Sequence, residues 1–319
     1  MSGAAIYANV AAAWLALGAY LGFASRRWRK ILEQAGQRLG DWAVLLLLLP
    51  YLLATSFRPE PLDLVRLLVY VALPTVLLRL RPRDGRPFDL MHVLVVLCIW
   101  VPIEVDLFVL LVDLIVPGVD LQSAFSGVYL LPRADALLVP GVSLPIPKLT
   151  AILMTLFLFL VRHPLEGIGF TAAWRWKDLG HALLGLCAFA VVGIPVGMTL
   201  GFLQFRLAWP EPFELAARIL AGYLLVALPE ELLFRGVIQN LLQKRWRRGY
   251  LVLPLAAFIF GLAHLNNATP GFAEPNWAYV LMATFAGLAY GWVWRRTKRV
   301  TISALTHMLV NLMWSIVFA

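Results

Sequence analysis

Glu230 and Glu231 stand side by side in Ala227-Leu228-Pro229-Glu230-Glu231-Leu232-Leu233-Phe234-Arg235, a stretch otherwise built of apolar residues. An ionised carboxylate at mid-membrane depth costs at least ~2.5–3.5 kcal/mol even on the most lenient insertion scale. Two together, followed by an arginine, call for a protein-lined or wet cavity rather than lipid. On a helix Glu231 and Arg235 share a face and form an i,i+4 pair, while Glu230 projects about 100° away. One carboxylate is held and the other is free to face a reaction centre. The next apolar segment carries Phe260 and His264 on one face, and the last carries Ser303, His307 and Asn311, with Ser315 continuing the stripe.

Counting ~1.5 Å per residue from the basic ends of these segments puts Glu230 and His264 both ~20 Å deep, His307 near ~10 Å and Asn311 near ~16 Å. These groups can therefore meet inside the membrane. A carboxylate, two imidazoles and a carboxamide supply the parts for activating water and stabilising an oxyanion. Singly, each has a plainer reading: the histidines as interhelical contacts, Glu231–Arg235 as a structural pair, Phe260 as core. Three consecutive helices with polar groups at matched depth point instead to a site.

The elements that must position these groups are transmembrane helices. Of 319 residues, 61% are hydrophobic and 14% charged, with a mean hydropathy of +0.80, against roughly 25% charged in a soluble domain. Candidate apolar segments fall at 4–24, 42–57, 62–80, 89–116, 147–161, 179–204, 214–242, 250–265, 277–294 and 300–318. The expected fold is an all-α, polytopic helical bundle with about 8–10 spans, each long enough for a hydrocarbon core of about 30 Å. The net charge of +9 is gathered at Arg26–Lys30, Arg79–Arg86, Arg162–Lys177, Lys244–Arg248 and Arg295–Arg299. Alternate threading places all five clusters on one side, so a multi-pass protein of the cytoplasmic membrane with its basic loops in the cytoplasm is expected. That distribution removes nucleic acid as a partner and leaves the lipid bilayer.

The amino terminus lacks a basic n-region and its apolar stretch runs on into a basic stop, as expected of an uncleaved first helix. Cys98 and Cys187 lie in different segments without metal-like or redox-like spacing and read as small hydrophobes. Residues 1–160 form amino-terminal membrane segments of unassigned role, and 161–319 carry the chemistry. In the first part Pro82, Pro87, Pro117, Pro132, Pro140, Pro145 and Pro147 punctuate the loops, and 116–148 reads as irregular or re-entrant. Glu104, Asp106 and Asp113 form a rival polar cluster, read as interfacial because carboxylates near a segment end meet water.

Glu230-Glu231-x-x-x-Arg235, Phe260-x-x-x-His264 and His307-x-x-x-Asn311 together resemble the three-motif signature of the CAAX-processing and bacteriocin-processing intramembrane proteases. The resemblance covers roughly residues 160–319. It implies an endopeptidase in which Glu230 with His264 polarises the attacking water and His307 with Asn311 stabilises the oxyanion. It further implies that Arg235 holds Glu231 and that Phe260 orients His264. The substrate would be a peptide or protein in or at the membrane. Glu230, His264 and His307 are residue types that ligate Zn²⁺, yet HExxH is absent and the histidines sit on different helices, which favours chemistry without metal. A non-proteolytic scaffold or regulator, and a transporter using the same cavity, are the alternatives.

Overall fold

The computed structural model describes residues 3–56, 58–81, 88–116, 118, 120–125, 130–139, 142–246 and 249–318. Parts of two expected basic clusters (82–87, 247 and 248) and Pro82, Pro87, Pro117 and Pro140 lie outside the described residues. The chain divides into two compact units, Met1–Leu165 and Glu166–Ala319.

In the first unit, α1 (Gly3–Gly22) is followed by α2 (Arg26–Leu39), whose Ser25 caps the Trp28 amide. Gly40, at φ 60°, ends α2 in a conformation that L side chains rarely adopt. A 3₁₀ stretch (Gly40–Leu48) and α3 (Leu49–Ala54) follow, then α4 (Pro61–Leu80) with Pro61 in its first turn, where no amide donor is needed. The segment expected to run unbroken over 89–116 is two helices, α5 (Leu90–Trp100) and α6 (Val105–Ile115). Pro102 sits in the break, lacking an amide hydrogen and clashing with the preceding turn.

The stretch expected to be irregular is partly ordered. It holds α7 (Leu121–Phe125) and an antiparallel pair, β1 (Asp135–Val139) and β2 (Val142–Pro145), before α8 (Ile146–Phe157) and a π turn (Leu158–Arg162). Asn9 of α1 pins the pair, donating to the Asp135 carbonyl at 3.0 Å and accepting from the Leu137 amide at 2.8 Å. Asp113, one of the rival carboxylates, uses both oxygens to cap α7 through Leu121 and Gln122 (2.9 and 3.0 Å). Its role is thus accounted for by local structure. Cys98 is half-buried, and Cys187, in the second unit, is exposed; both are free thiols.

The second unit opens with α9 (Trp176–Thr199), where Asp178 accepts from the Arg175 amide at 2.9 Å and pairs with Arg299. A long helical run then passes through α10 (Pro212–Ala221), a π segment (Gly222–Ala227), α11 (Leu228–Glu231), a second π segment (Leu232–Gln239) and α12 (Asn240–Arg245). After it come α13 (Val252–Leu262), α14 (Trp277–Thr297) and α15 (Val300–Val317). α14 packs against α9, α13 and α15.

The two short strands apart, the described elements are helical. Five helical spans are long and apolar enough to cross a membrane: Gly3–Gly22, Arg26–Ala54, Pro61–Leu80, Trp176–Thr199 and Val300–Val317. Leu90–Trp100 and Val252–Leu262 are shorter apolar helices. The fold is an all-α, polytopic membrane bundle.

α13 and α14 approach so closely that a Cβ on Gly261 would lie 2.2 Å from Thr284 Oγ1 and 2.6 Å from the Val280 carbonyl oxygen. Small residues at such crossings let backbones meet, which is what drives helix association in lipid. Gly261→Ala should destabilise the protein by about 1–3 kcal/mol through overpacking. Gly180→Ala, with nothing within 4 Å of its Cβ position, should not. Thermal melts of the two variants in detergent make the comparison.

Candidate active site

The helix bearing the two glutamates is not a regular α-helix. Pro229 cannot donate an amide hydrogen, and the turns on either side of Leu228–Glu231 are wide: Leu228 N bonds Tyr223 O and Asn240 N bonds Arg235 O, both five residues back. Such π turns interrupt the ordinary periodicity of a helix and occur frequently at functional sites. Motif spacing gave no sign of them, although a proline within the run is the signal that could have suggested one.

Glu231 is fully buried and is the meeting point of two segments. Its Oε2 faces Arg235 Nε at 3.2 Å and accepts a hydrogen bond from Ser303 Oγ, and its Oε1 lies 3.2 Å from His307 Nδ1. An ionised carboxylate only accepts, so His307 Nδ1 carries the hydrogen in this contact. Ser303 belongs to the stripe on α15 seen in the sequence, but its partner was not legible there. The expected Glu231–Arg235 pair is formed, and it is electrostatic in character, because Arg235 Nε makes no aligned hydrogen bond among the described residues.

Arg235 is 1% exposed and is held from several sides. Its Nη2 donates to the Gly287 carbonyl of α14 at 3.3 Å. Its guanidinium lies over the Phe260 ring at 4.4 Å and near the Tyr290 ring at 5.4 Å. One turn on, Gln239 repeats the contact to α14, donating to Gly291 O at 3.2 Å.

Phe260 is the wedge between the two imidazoles. It meets His264 edge-on with centroids at 4.8 Å and His307 at 5.6 Å, and its carbonyl oxygen is 3.0 Å from His264 Nδ1. A carbonyl only accepts, so His264 Nδ1 donates, leaving the Nε2 lone pair of the neutral ring free. Two tyrosines of α14 complete the arrangement: Tyr279 stacks on His264 at 5.0 Å and Tyr290 on His307 at 4.5 Å. Neither tyrosine was singled out in the sequence. The loop after His264 is closed by Asn276, which donates to Asn267 O (2.8 Å) and Thr269 Oγ1 (3.2 Å) and caps α14 through the Tyr279 amide (2.9 Å).

The other glutamate is in a different state. The Glu230 side chain is 27% exposed, its Oε2 lies 3.9 Å from His307 Nε2, and that buried oxygen has no hydrogen-bond partner among the described residues. His264 and Glu230 do not form an ion pair with each other, so any cooperation between them needs a group in between. His264, His307 and Asn311 line one cavity of about 40 Å³ together with Phe260, Tyr279 and Tyr290. A water needs roughly 10–15 Å³ of such space. Of the possible Zn²⁺ ligands Glu230, His264 and His307, none belongs to a metal-holding group of three His, Cys, Asp or Glu side chains among the described residues. The side chains as placed do not make a ligand sphere.

Removing Arg235 strands Glu231 as a buried charge, which costs about 3–5 kcal/mol, whereas the Glu230 side chain is not fully enclosed. Arg235→Ala should therefore lower the melting temperature in detergent much more than Glu230→Ala. Equal melting temperatures would mean that the buried pair contributes nothing.

Comparison with known proteins bears on this geometry. Residues 212–313 match the family model of the type II CAAX prenyl endopeptidases, Rce1-like. Glu230, Glu231, Arg235, Phe260, His264, His307 and Asn311 all lie within the matched span. No curated protein and no solved structure matches the chain. The matched span includes most of one of the helices long and apolar enough to cross a membrane, Val300–Val317. Residues 212–313 of this multi-pass membrane protein are thus similar to the Rce1-like type II CAAX prenyl endopeptidases.

Proposed function

We propose that the protein hydrolyses a peptide bond in a membrane-delivered peptide, with Glu230 as general base. The observation that carries this is the buried, unpartnered Glu230 Oε2, 3.9 Å from His307 Nε2. A water held between Glu230 and His264 Nε2 gives up one proton to Glu230 as its oxygen attacks the scissile carbonyl. His264 keeps its neutral tautomer through the Phe260 carbonyl and accepts the water's other hydrogen. The negative charge formed on the carbonyl oxygen is met by the Asn311 amide and by His307 Nε2–H. Glu231 supports that second donor: bonded to Nδ1, it stabilises the imidazolium that an Nε2 donor requires, as the buried carboxylate does in a serine-protease triad. Collapse of the tetrahedral intermediate breaks the C–N bond, and Glu230 passes its proton to the leaving amine. The products are a carboxylic acid and an amine, which become carboxylate and ammonium when the acid proton passes to the amine, and Glu230 is regenerated.

The adjacent glutamates divide the work by environment. Glu231 is enclosed by Arg235, Ser303 and His307 and serves position and charge. Glu230 reaches water and carries the proton. A substrate with its own lipid or apolar anchor fits a site within a membrane domain, and the matching family is described by its action on prenylated CAAX ends.

Glu230→Gln removes the base while keeping shape and adding no charge. The purified variant should insert and melt like wild type and cleave no peptide, measured by comparing the membrane proteome of cells carrying each form. Wild-type cleavage by Glu230→Gln would reject the base assignment. Asn311→Ala removes a donor used mainly in the transition state. It should lower kcat on the order of 10²-fold or more with little change in substrate binding. Single-turnover cleavage beside binding of a non-cleavable peptide separates the two effects. Binding lost in proportion to rate would place Asn311 in a ground-state site, as a transporter would use it.

A further inference from the structure

The first unit contains a groove of about 950 Å³ that the peptidase site does not use. Its floor and one wall come from the 3₁₀ stretch Gly40–Leu48 and from α4, with apolar Val44, Leu45 and Val76 on its surface, and its mouth carries Arg79, Arg81 and Arg162. We propose that this groove binds an anionic phospholipid, the phosphate held at the arginines and an acyl chain laid along the apolar wall.

Charge is the first argument. Asp41 is shared between Arg79, at 3.1 Å, and Arg162, while Arg81 pairs with Asp89 at 2.5 Å. Among the described residues the mouth brings three guanidinium groups together with two carboxylates. Arg79 presents most of itself outward, with its side chain 74% exposed, so it can meet a second anion without leaving Asp41. Arg162 is fixed from behind by its bond to Gly36 O of α2 at 3.2 Å, and its buried Nε has no hydrogen-bond partner among the described residues. His163, also at the mouth, is held below its usual pKa by burial and then by the Arg162 and Arg81 charges.

Shape and position select a lipid over a free phosphate. A volume of this size lies at the upper end of small-molecule sites, roughly 300–1,000 Å³, far more than a bare phosphate fills. Val76 and Leu45 remain exposed along the wall (47% and 36%), and Trp42 stands at the rim 76% exposed, as aromatic residues do at a membrane interface. α2, which packs beside the 3₁₀ stretch, is amphipathic, with Arg26, Arg27, Arg29 and Lys30 in its first turns, Trp28 exposed among them and Ile31 exposed just after. Such a helix lies in the plane of the headgroups and favours anionic lipid.

The test uses the full chain in detergent micelles doped with phosphatidylglycerol or phosphatidylcholine whose acyl chains are brominated. Quenching is read as the difference between wild type and Trp42→Phe, which isolates the Trp42 signal. Phosphatidylglycerol should quench Trp42 at about tenfold lower concentration than phosphatidylcholine. Arg79→Gln should weaken that selectivity about fivefold, the scale of one basic residue at an anionic surface. Val76→Trp, which fills the apolar wall, should abolish it with the arginines intact. Equal quenching by the two lipids overturns the proposal. So does undiminished selectivity in both variants. Competition by inorganic phosphate as effective as that of the lipid would assign the arginines to a soluble anion and likewise overturn it.

Discussion

The second unit turns on the burial of one carboxylate. Glu231 is 0% exposed, and an ion without partners at such a place would cost several kcal/mol after relaxation. Its partners come from two segments: Arg235 from its own helix, Ser303 and His307 from α15. Arg235 extends the network to α13 through the Phe260 ring and to α14 through the Gly287 carbonyl and the Tyr290 ring. Four helical elements are thereby fixed relative to one another around a single charge. A nonspecific apolar core would hold them together but would not hold two imidazole rings at defined angles.

That fixation lets the neighbouring Glu230 differ. The two glutamates share a peptide bond but not an environment: one is wholly enclosed, the other 27% exposed with an oxygen left over. Adjacent residues on a helix project about 100° apart, and the wide turns flanking Leu228–Glu231 set where those directions fall. The buried network therefore rests on Glu231 and not on Glu230, so substitution of Glu230 need not cost the fold.

The imidazoles are oriented in two ways with one consequence. His264 is turned by a backbone carbonyl and His307 by a carboxylate, and in each case Nδ1 is occupied and Nε2 is left for the cavity. The stacked tyrosines, Tyr279 and Tyr290, and the Phe260 edge then restrict ring rotation. A carboxylate stands behind His307 and a backbone carbonyl behind His264, so two residues of one type sit in different polar settings.

Composition, hydropathy and the placement of basic residues were enough to determine a helical membrane protein, because the bilayer constrains every span locally in sequence. The i,i+4 spacings of Glu231–Arg235, Phe260–His264 and His307–Asn311 were equally legible, since helix periodicity alone puts each pair on one face. Other features depended on neighbours in space. Pro102 divides a segment that apolarity made look continuous, and β1 and β2 pair where Pro and Gly suggested an irregular loop, because strand pairing requires a partner that local propensity does not describe. The partners of Glu231 on α15, the tyrosines behind the histidines and the empty position at Glu230 Oε2 were decided by packing alone. Sequence periodicity sets which residues share a face of their own helix. Which face of another helix they meet, and at what distance, is fixed only when the buried charge has found all its partners.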